Sequence, residues 1–199
     1  KIHRFETMIQ TKYLYKILRP RIINTSSLIG FSFLLFFSSL LTAQEWEYPL
    51  IPGYGGIEYT DSYSEQFSPE ESYQLLFDIT SDAQKDGVNR GLWRVARTLN
   101  LLEACSVPRE QIEIVVALHG AATKAVLRNE AYHSLYEDDN PNVKLISKLA
   151  DNRVEFFVCS QAMVGRSLPL DQVHPDITVA LSALTVIINH QKKGFFLVP

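Results

Sequence analysis

Val154-Glu155-Phe156-Phe157-Val158-Cys159-Ser160-Gln161-Ala162-Met163 is the stretch whose reading decides the fold. A short apolar run, β-branched and aromatic, ends abruptly on a cysteine, and the segment from Gln161 to Leu168 loses that character. This is the pattern of a buried strand that delivers a thiol to the start of a helix. Cys159 then stands at the carboxyl edge of a sheet, where open α/β folds place their ligands.

The pattern repeats on either side. Leu75 to Thr80 reads as the first strand, followed by a polar loop from Ser81 to Val88 and a helix capped by Asn89. Leu92, Val95, Ala96, Leu99 and Leu102 recur at helical spacing and run to Ala104 or Cys105, where Val107-Pro108 ends the element. Ile112 to Leu118 is the strongest strand signal, and His119-Gly120 closes it. Ala121 to Leu127 is helical in composition and restarts through Ala131 to Leu135. Glu137-Asp138-Asp139-Asn140-Pro141-Asn142 forms an acidic turn, and Val143, Ile146, Leu149 and Ala150 define the next helix. After Cys159 come a fourth strand from Ile177 to Leu181, a helix capped by Ser182 and ended by Gly194, and a terminal strand from Phe195 to Val198. Nearly all-apolar strands alternating with helices give an α/β fold with a largely parallel sheet covered on both faces.

Residues 1–43 read as an address. Lys12, Lys16, Arg19 and Arg21 form a basic region after a start at Met8, and Leu28 to Leu41 is an uncharged apolar stretch of 14 residues. That is short for a hydrocarbon core of about 30 Å and fits a signal-peptide core, with cleavage expected after Ala43; the alternative is an uncleaved membrane anchor. The expected location is periplasmic or secreted, with no stable membrane span after processing. Residues 44–73, rich in Tyr, Pro, Gly and Ser, form an irregular aromatic arm that packs on the domain or on a neighbouring subunit, and residues 74–199 form the α/β domain.

The leader carries six of the 19 basic and one of the 22 acidic residues, which leaves 13 against 21 and a net charge of −8. An acidic domain without a basic cluster is excluded as a nucleic-acid binder, because that affinity rests on neutralising phosphates. No GxGxxG, Walker, CxxC or HExxH motif occurs, and no histidine has a second one at metal-ligand spacing, so no metal site is expected.

Residues that follow parallel strands share one rim. Here that rim holds Asp78, Thr80, Asn89, His119, Gly120, Cys159, Ser160, Gln161 and Ser182. Cys105 closes a helix that runs back, so it belongs at the opposite edge. A strand of this length spans roughly 17–20 Å, whereas a disulfide needs Cα atoms within about 7 Å, and a Cys105–Cys159 bridge is therefore disfavoured. At a helix N-terminus the N–H groups and the dipole favour a thiolate, the requirement for sulfur nucleophilicity. The same placement also suits an inert packing cysteine. His119 reads either as a base for Cys159, beside an anion site on the Gly120 to Thr123 backbone, or as a hydrogen-bonded structural residue at a strand end.

Several motifs carry a likeness in their order and spacing: Tyr48-Pro49 with Ile51 to Gly56, Leu76 to Thr80, Asn89 to Leu92 with Ala96 to Leu101, and Val115 to Thr123. They continue through Asn140-Pro141-Asn142, Cys159 to Ala162, Ala180 to Thr185 and Gln191 to Phe195. Together they resemble the DsrE/DsrF-like family of small sulfur-relay proteins, in particular its secreted branch. The resemblance implies a three-layer α/β/α fold with a five-stranded, mostly parallel sheet, no cofactor, and homo-oligomers, often trimers or hexamers. It also implies that Cys159 accepts and passes sulfur as a persulfide, from a donor to an acceptor protein or a small thiol. Where the family has Cys-Gly-Gln, this chain has Cys159-Ser160-Gln161. The expected function is an exported sulfur carrier or sulfurtransferase-like protein with Cys159 and His119 as catalytic residues and Asn89, Gly120, Ser160, Gln161 and Ser182 as ligand-binding residues. The alternative is a non-enzymatic oligomeric module for small-ligand binding or assembly.

Overall fold

A computed structural model of the chain describes residues 45–198. The leader read over residues 1–43, with its cleavage after Ala43, lies outside the described residues. Seven strands and five α-helices follow in order: β1 (Tyr73–Ile79), β2 (Gln84–Lys85), β3 (Val88–Asn89), α1 (Arg90–Ala104), β4 (Ile112–Leu118), α2 (Asn129–Tyr136), α3 (Val143–Asp151), β5 (Val154–Cys159), α4 (Ser160–Val164), β6 (Ile177–Ala180), α5 (Ala183–Lys192) and β7 (Phe196–Val198).

Five of the strands form one sheet in the order β6-β5-β4-β1-β7, and every pairing in it is parallel. The three-layer α/β/α expectation holds, with a sheet that is wholly parallel. β4 lies at its centre, and all of its residues but Glu113 are buried. In register, Ile79 pairs with Leu118 and Leu118 with Val158, while Cys159 pairs with Ala180. The carboxyl ends of β1, β4, β5 and β6 thus lie side by side.

Side chains two apart on a strand share a face. On one face Leu75, Phe77, Ile114, Val116, Phe156 and Val158 join the main core with residues of α1 and α3. The helical stripe read from the sequence of α1 is fully buried there, at Leu92, Val95, Ala96, Leu99 and Leu102. Each such leucine contributes about 1.5–3 kcal/mol by leaving water. The opposite face carries a smaller core of Leu76, Val115 and Ala117 under Val186 and Phe195, and α5 is the helix that covers it. Outside this thin layer Leu184 and Ile188 of α5 are 67 % and 55 % exposed, and Leu181 just before it is 71 % exposed.

The helix ends follow their side-chain chemistry. Asn89 Oδ1 accepts from the N–H groups of Gly91 and Leu92, and Ser182 Oγ accepts from Leu184 N–H, so both caps read from the sequence are present. Gly194 adopts φ +100 just beyond α5, where a left-handed residue ends the helix. The stretch read as helical from Ala121 to Leu127 forms a 3-10 helix, Gly120–Val126, and not an α-helix. Its Ala122 N–H is drawn to the carbonyls of Thr80 and His119, which pins the turn to the sheet edge and tightens it.

The arm packs on its own domain. Asn100, wholly buried in α1, accepts from Leu50 and Ile51 N–H and donates to the carbonyls of Tyr54 and Gly55. Arg97 donates twice to Gly56 O and stacks between Trp93 and Trp46, with ring centroids 4.3 and 5.5 Å away. The Asn140-Pro141-Asn142 turn is a buried polar hub, not merely a turn. Asn142 Oδ1 accepts from Asn89 N–H at 2.7 Å, and Asn140 Nδ2 donates to the carbonyls of Ala125 and Leu127. Among the described residues no helix is long and apolar enough to cross a membrane.

Candidate functional site

β5 stops at Cys159 because Ser160 opens α4, so the thiol sits where a strand turns into a helix. Alternation from Phe157, which packs on the α5 face, turns Cys159 to that face too. There it meets the N-terminal end of α5. The cysteine is 7 % exposed, and its Sγ lies 4.0 Å from the Oγ of Ser182, the residue that caps α5.

Burial by itself raises the pKa of such a thiol. The backbone N–H groups of Ala183, Ala162 and Gln161, together with the Ser182 hydroxyl, outweigh that penalty and bring Cys159 below its ordinary value. Ala183 opens α5 while Gln161 and Ala162 belong to α4, so the sulfur draws donors from the starts of two helices. Ser160 Oγ donates to Leu181 O at 2.9 Å and ties the start of α4 to the segment before α5. Gln161 stands exposed, with Nε2 3.3 Å from Ser160 Oγ.

His119 continues β4 in extended geometry, φ −155 and ψ −171. The pairing of Leu118 with Val158 puts it, one residue on, beside Cys159 on the adjacent strand, and neighbouring strands lie about 4.8 Å apart. Alternation from Ala117 places it on the same α5 face. Its Nε2 lies 2.7 Å from Asp78 Oδ1, and both side chains are 29 % exposed. Among the described residues the imidazole bonds Asp78 and the thiol bonds Ser182, with no direct hydrogen bond between imidazole and thiol.

Cys159, Ser160, Gln161 and Ser182 thus meet at one point of the rim, with His119 next to them. The remaining two expected ligand residues have other surroundings. Asn89 is buried and its side chain is occupied by the cap of α1 and by Ser81 O. Gly120 has φ +57, and a Cβ there would fall 2.9 Å from Thr80 O, so glycine is needed for the close approach of two strand ends. Its carbonyl accepts from Thr123 Oγ1 and from Arg166 Nε.

Asp78 stands on the expected rim, yet its contact with His119 is not readable from the sequence, because it depends on β1 lying next to β4. Both cysteines are free, and Cys105 sits at the end of α1 against Gln66 of the arm. Among the described residues no group of three or more His, Cys, Asp or Glu side chains is arranged to hold a metal ion.

No curated protein matches the chain. Among solved structures it is similar to a protein of unknown function, MTH1491 from Methanobacterium thermoautotrophicum, with 20 % identity and a TM-score of 0.50 over 64 % of this chain and 98 % of that one. At that identity the likeness speaks for the fold alone. A family model, that of the DsrE/DsrF-like family, matches residues 74–199, from β1 through Cys159 and His119 to the last strand. Because the match spans the whole sheet and the rim that carries the thiol, the chain belongs to the DsrE/DsrF-like family.

Proposed function

We propose that the protein is an exported sulfur carrier, or a sulfurtransferase-like protein, that holds sulfane sulfur on Cys159. The observation that carries this reading is the placement of one thiol where two helix starts and the Ser182 hydroxyl favour its ionised form. The thiolate attacks the terminal sulfur of a persulfide donor, R–S–SH, forming Cys159–S–SH and releasing R–S⁻, which takes up the proton lost by the cysteine. No net oxidation occurs, in keeping with a site at which no metal or cofactor is expected. His119, at the end of the strand next to that of Cys159, serves as the base in this reading. Ser160, Gln161 and Ser182 line the approach.

Mass spectrometry of the purified chain after incubation with a small-molecule persulfide tests this. One added sulfur, about 32 Da, is expected on the peptide containing Cys159 and absent from Cys159→Ser. No adduct, or one that persists in Cys159→Ser, overturns it. Export is tested separately by cell fractionation and N-terminal sequencing, with a mature terminus expected at Gln44.

A second reading is favoured by the α5 face. Leu181, Leu184 and Ile188 are left open to solvent on the thinly covered side of the sheet, and exposed apolar groups that cluster in this way mark contact surfaces. An oligomer, a trimer or hexamer, would bury them and wall the Cys159 rim. Light scattering should then report a multiple of the chain mass that falls in Leu184→Glu/Ile188→Glu. A monomeric wild-type mass removes this reading.

A further inference from the structure

We propose that Asp78 is a positioning residue for sulfur transfer at Cys159: it holds His119 as the Nε2-protonated tautomer and reserves Nδ1 as the atom that takes and returns the proton. The proposal rests on the reading of Cys159 as the sulfur acceptor. Asp78, His119 and Cys159 lie on β1, β4 and the end of β5, three strands that are consecutive in the sheet. All three turn to the α5 face, since Leu76, Ala117 and Phe157 two residues before them belong to the core on that side. Strand order makes the three neighbours, while register sets Asp78 level with Ala117, two residues before His119, so the imidazole leans back along β1 to meet the carboxylate.

An ionised carboxylate can only accept hydrogen bonds. With Nε2 2.7 Å from Asp78 Oδ1, the proton of that bond sits on Nε2. A neutral imidazole carries one N–H, so Nδ1 keeps its lone pair. Arg90 and Arg94 of α1 line one cavity with Asp78 and are the cations nearest the carboxylate from that helix. Asp78 comes from β1 and Cys159 from β5. The first turn of α5, from Ala183 to Val186, brings no ionisable group. Arg166, from the loop after α4, binds the Gly120 carbonyl next to His119, and the 3-10 segment contributes Lys124, already paired with Asp82.

The step balances as follows. Cys159–SH gives its proton to Nδ1, directly or across one water. The thiolate attacks the terminal sulfur of R–S–SH, a new bond forms to Cys159 Sγ, and the R–S bond breaks with its electron pair on the departing sulfur. The imidazolium returns the proton to give R–SH. The products are Cys159–S–SH and R–SH, with neither partner oxidised overall. Through both proton transfers Asp78 keeps the ring from turning and stabilises the transient imidazolium, without touching the reacting atoms.

Asp78→Asn in the full chain is the test, read by single-turnover sulfur uptake from a small-molecule persulfide and by two-bond ¹H–¹⁵N spectra of His119. The uptake rate at pH 7 should fall about tenfold or more and its pH profile should move, while the final yield stays at one sulfur per Cys159. Asp78→Glu should recover part of the rate. Alkylation of Cys159 by iodoacetamide at pH 10, where the thiol ionises unaided, should match wild type and show that the site is intact. The spectra should show the Nε2–H tautomer in wild type and a mixture in Asp78→Asn. An unchanged rate and pH profile, or an Nδ1–H tautomer in wild type, overturns the proposal. Wild-type protein that takes up no sulfur at all fails the sulfur-carrier reading instead, and the tautomer spectra then decide the Asp78 assignment on their own.

Discussion

The side-chain oxygen of Asn100 accepts a 2.8 Å hydrogen bond from the backbone N–H of Ile51, across 49 residues of chain and with both residues wholly buried. The same amide takes Leu50 N–H and feeds the carbonyls of Tyr54 and Gly55. A single side chain therefore satisfies four backbone groups of an arm whose own backbone pairing, the Glu47–Ile57 bridge, leaves them unpaired. Asn100→Ala should strand these groups and cost about 3 kcal/mol, since each buried unpaired group costs about 1–3 kcal/mol and some will reach water. Urea denaturation gives this number directly. A loss below about 1 kcal/mol would mean that the arm lifts off α1 at little cost.

Two glycines of the arm should separate cleanly. Gly53 and Gly55 both have positive φ, +85 and +64, but a Cβ on Gly53 meets nothing within 4 Å while one on Gly55 would lie 2.2 Å from Arg97 N. Gly53→Ala should cost only the left-handed backbone penalty, about 1 kcal/mol. Gly55→Ala must push the arm away from α1 and break the Asn100 clasp. Limited proteolysis is expected to cut the arm of Gly55→Ala much faster than that of Gly53→Ala, and equal rates would show that the close approach is not rigid.

Legibility in the sequence followed how local each signal was. β5 and its terminal cysteine, β4, the apolar stripe of α1, and the caps at Asn89 and Ser182 were all readable, because each depends on residues within one turn or one strand of each other. The β2–β3 hairpin lies inside what reads as a polar loop. Its two-residue strands carry no apolar run, and Asp86-Gly87, which takes φ +51 and +80, was the signal that could have found it. The Asn100 clasp and the Asp78–His119 pair were out of reach, since they join residues 41 to 50 apart whose meeting depends on strand order and arm path. Asn100 did leave a trace as a lone amide in Leu99-Asn100-Leu101-Leu102. A polar group in so apolar a stretch implies a buried partner.

Stability should fall as the solution turns mildly acidic, and His174 should be responsible. It is 6 % exposed, with Nε2 3.5 Å from Ser147 Oγ and Nδ1 accepting from Asp176 N–H. Burial lowers its pKa below 6.5, the nearby Asp176 carboxylate opposes this, and Arg128 adds to it. A histidine held neutral in the fold binds its proton more readily when unfolded. Its contribution is therefore complete above the unfolded value near 6.5 and is lost as pH falls toward the folded one. Urea midpoints between pH 8 and pH 5 should drop in wild type and drop less in His174→Gln. Parallel curves would assign the loss to other groups.

Cys159 should react as a thiolate at lower pH than an unperturbed cysteine, and Ser182 should be part of the reason. Burial alone would push the thiol up, so its lowering rests on the donors around it: the N–H groups of Ala183, Ala162 and Gln161 and the Ser182 hydroxyl. Ser182→Ala removes one donor and also the cap on Leu184 N–H, 3.2 Å away. Two separable effects are expected. The helix cap should cost about 1 kcal/mol of stability, and the inflection of Cys159 alkylation with pH should move upward while the remaining backbone donors keep it below that of a cysteine peptide. Iodoacetamide rates from pH 5 to 10, resolved by peptide mass so that Cys105 is counted apart, give the inflection, and Ser182→Thr should restore both cap and donor. An inflection that stays in place while stability falls would leave the hydroxyl only its capping role and assign the thiolate to the two helix starts.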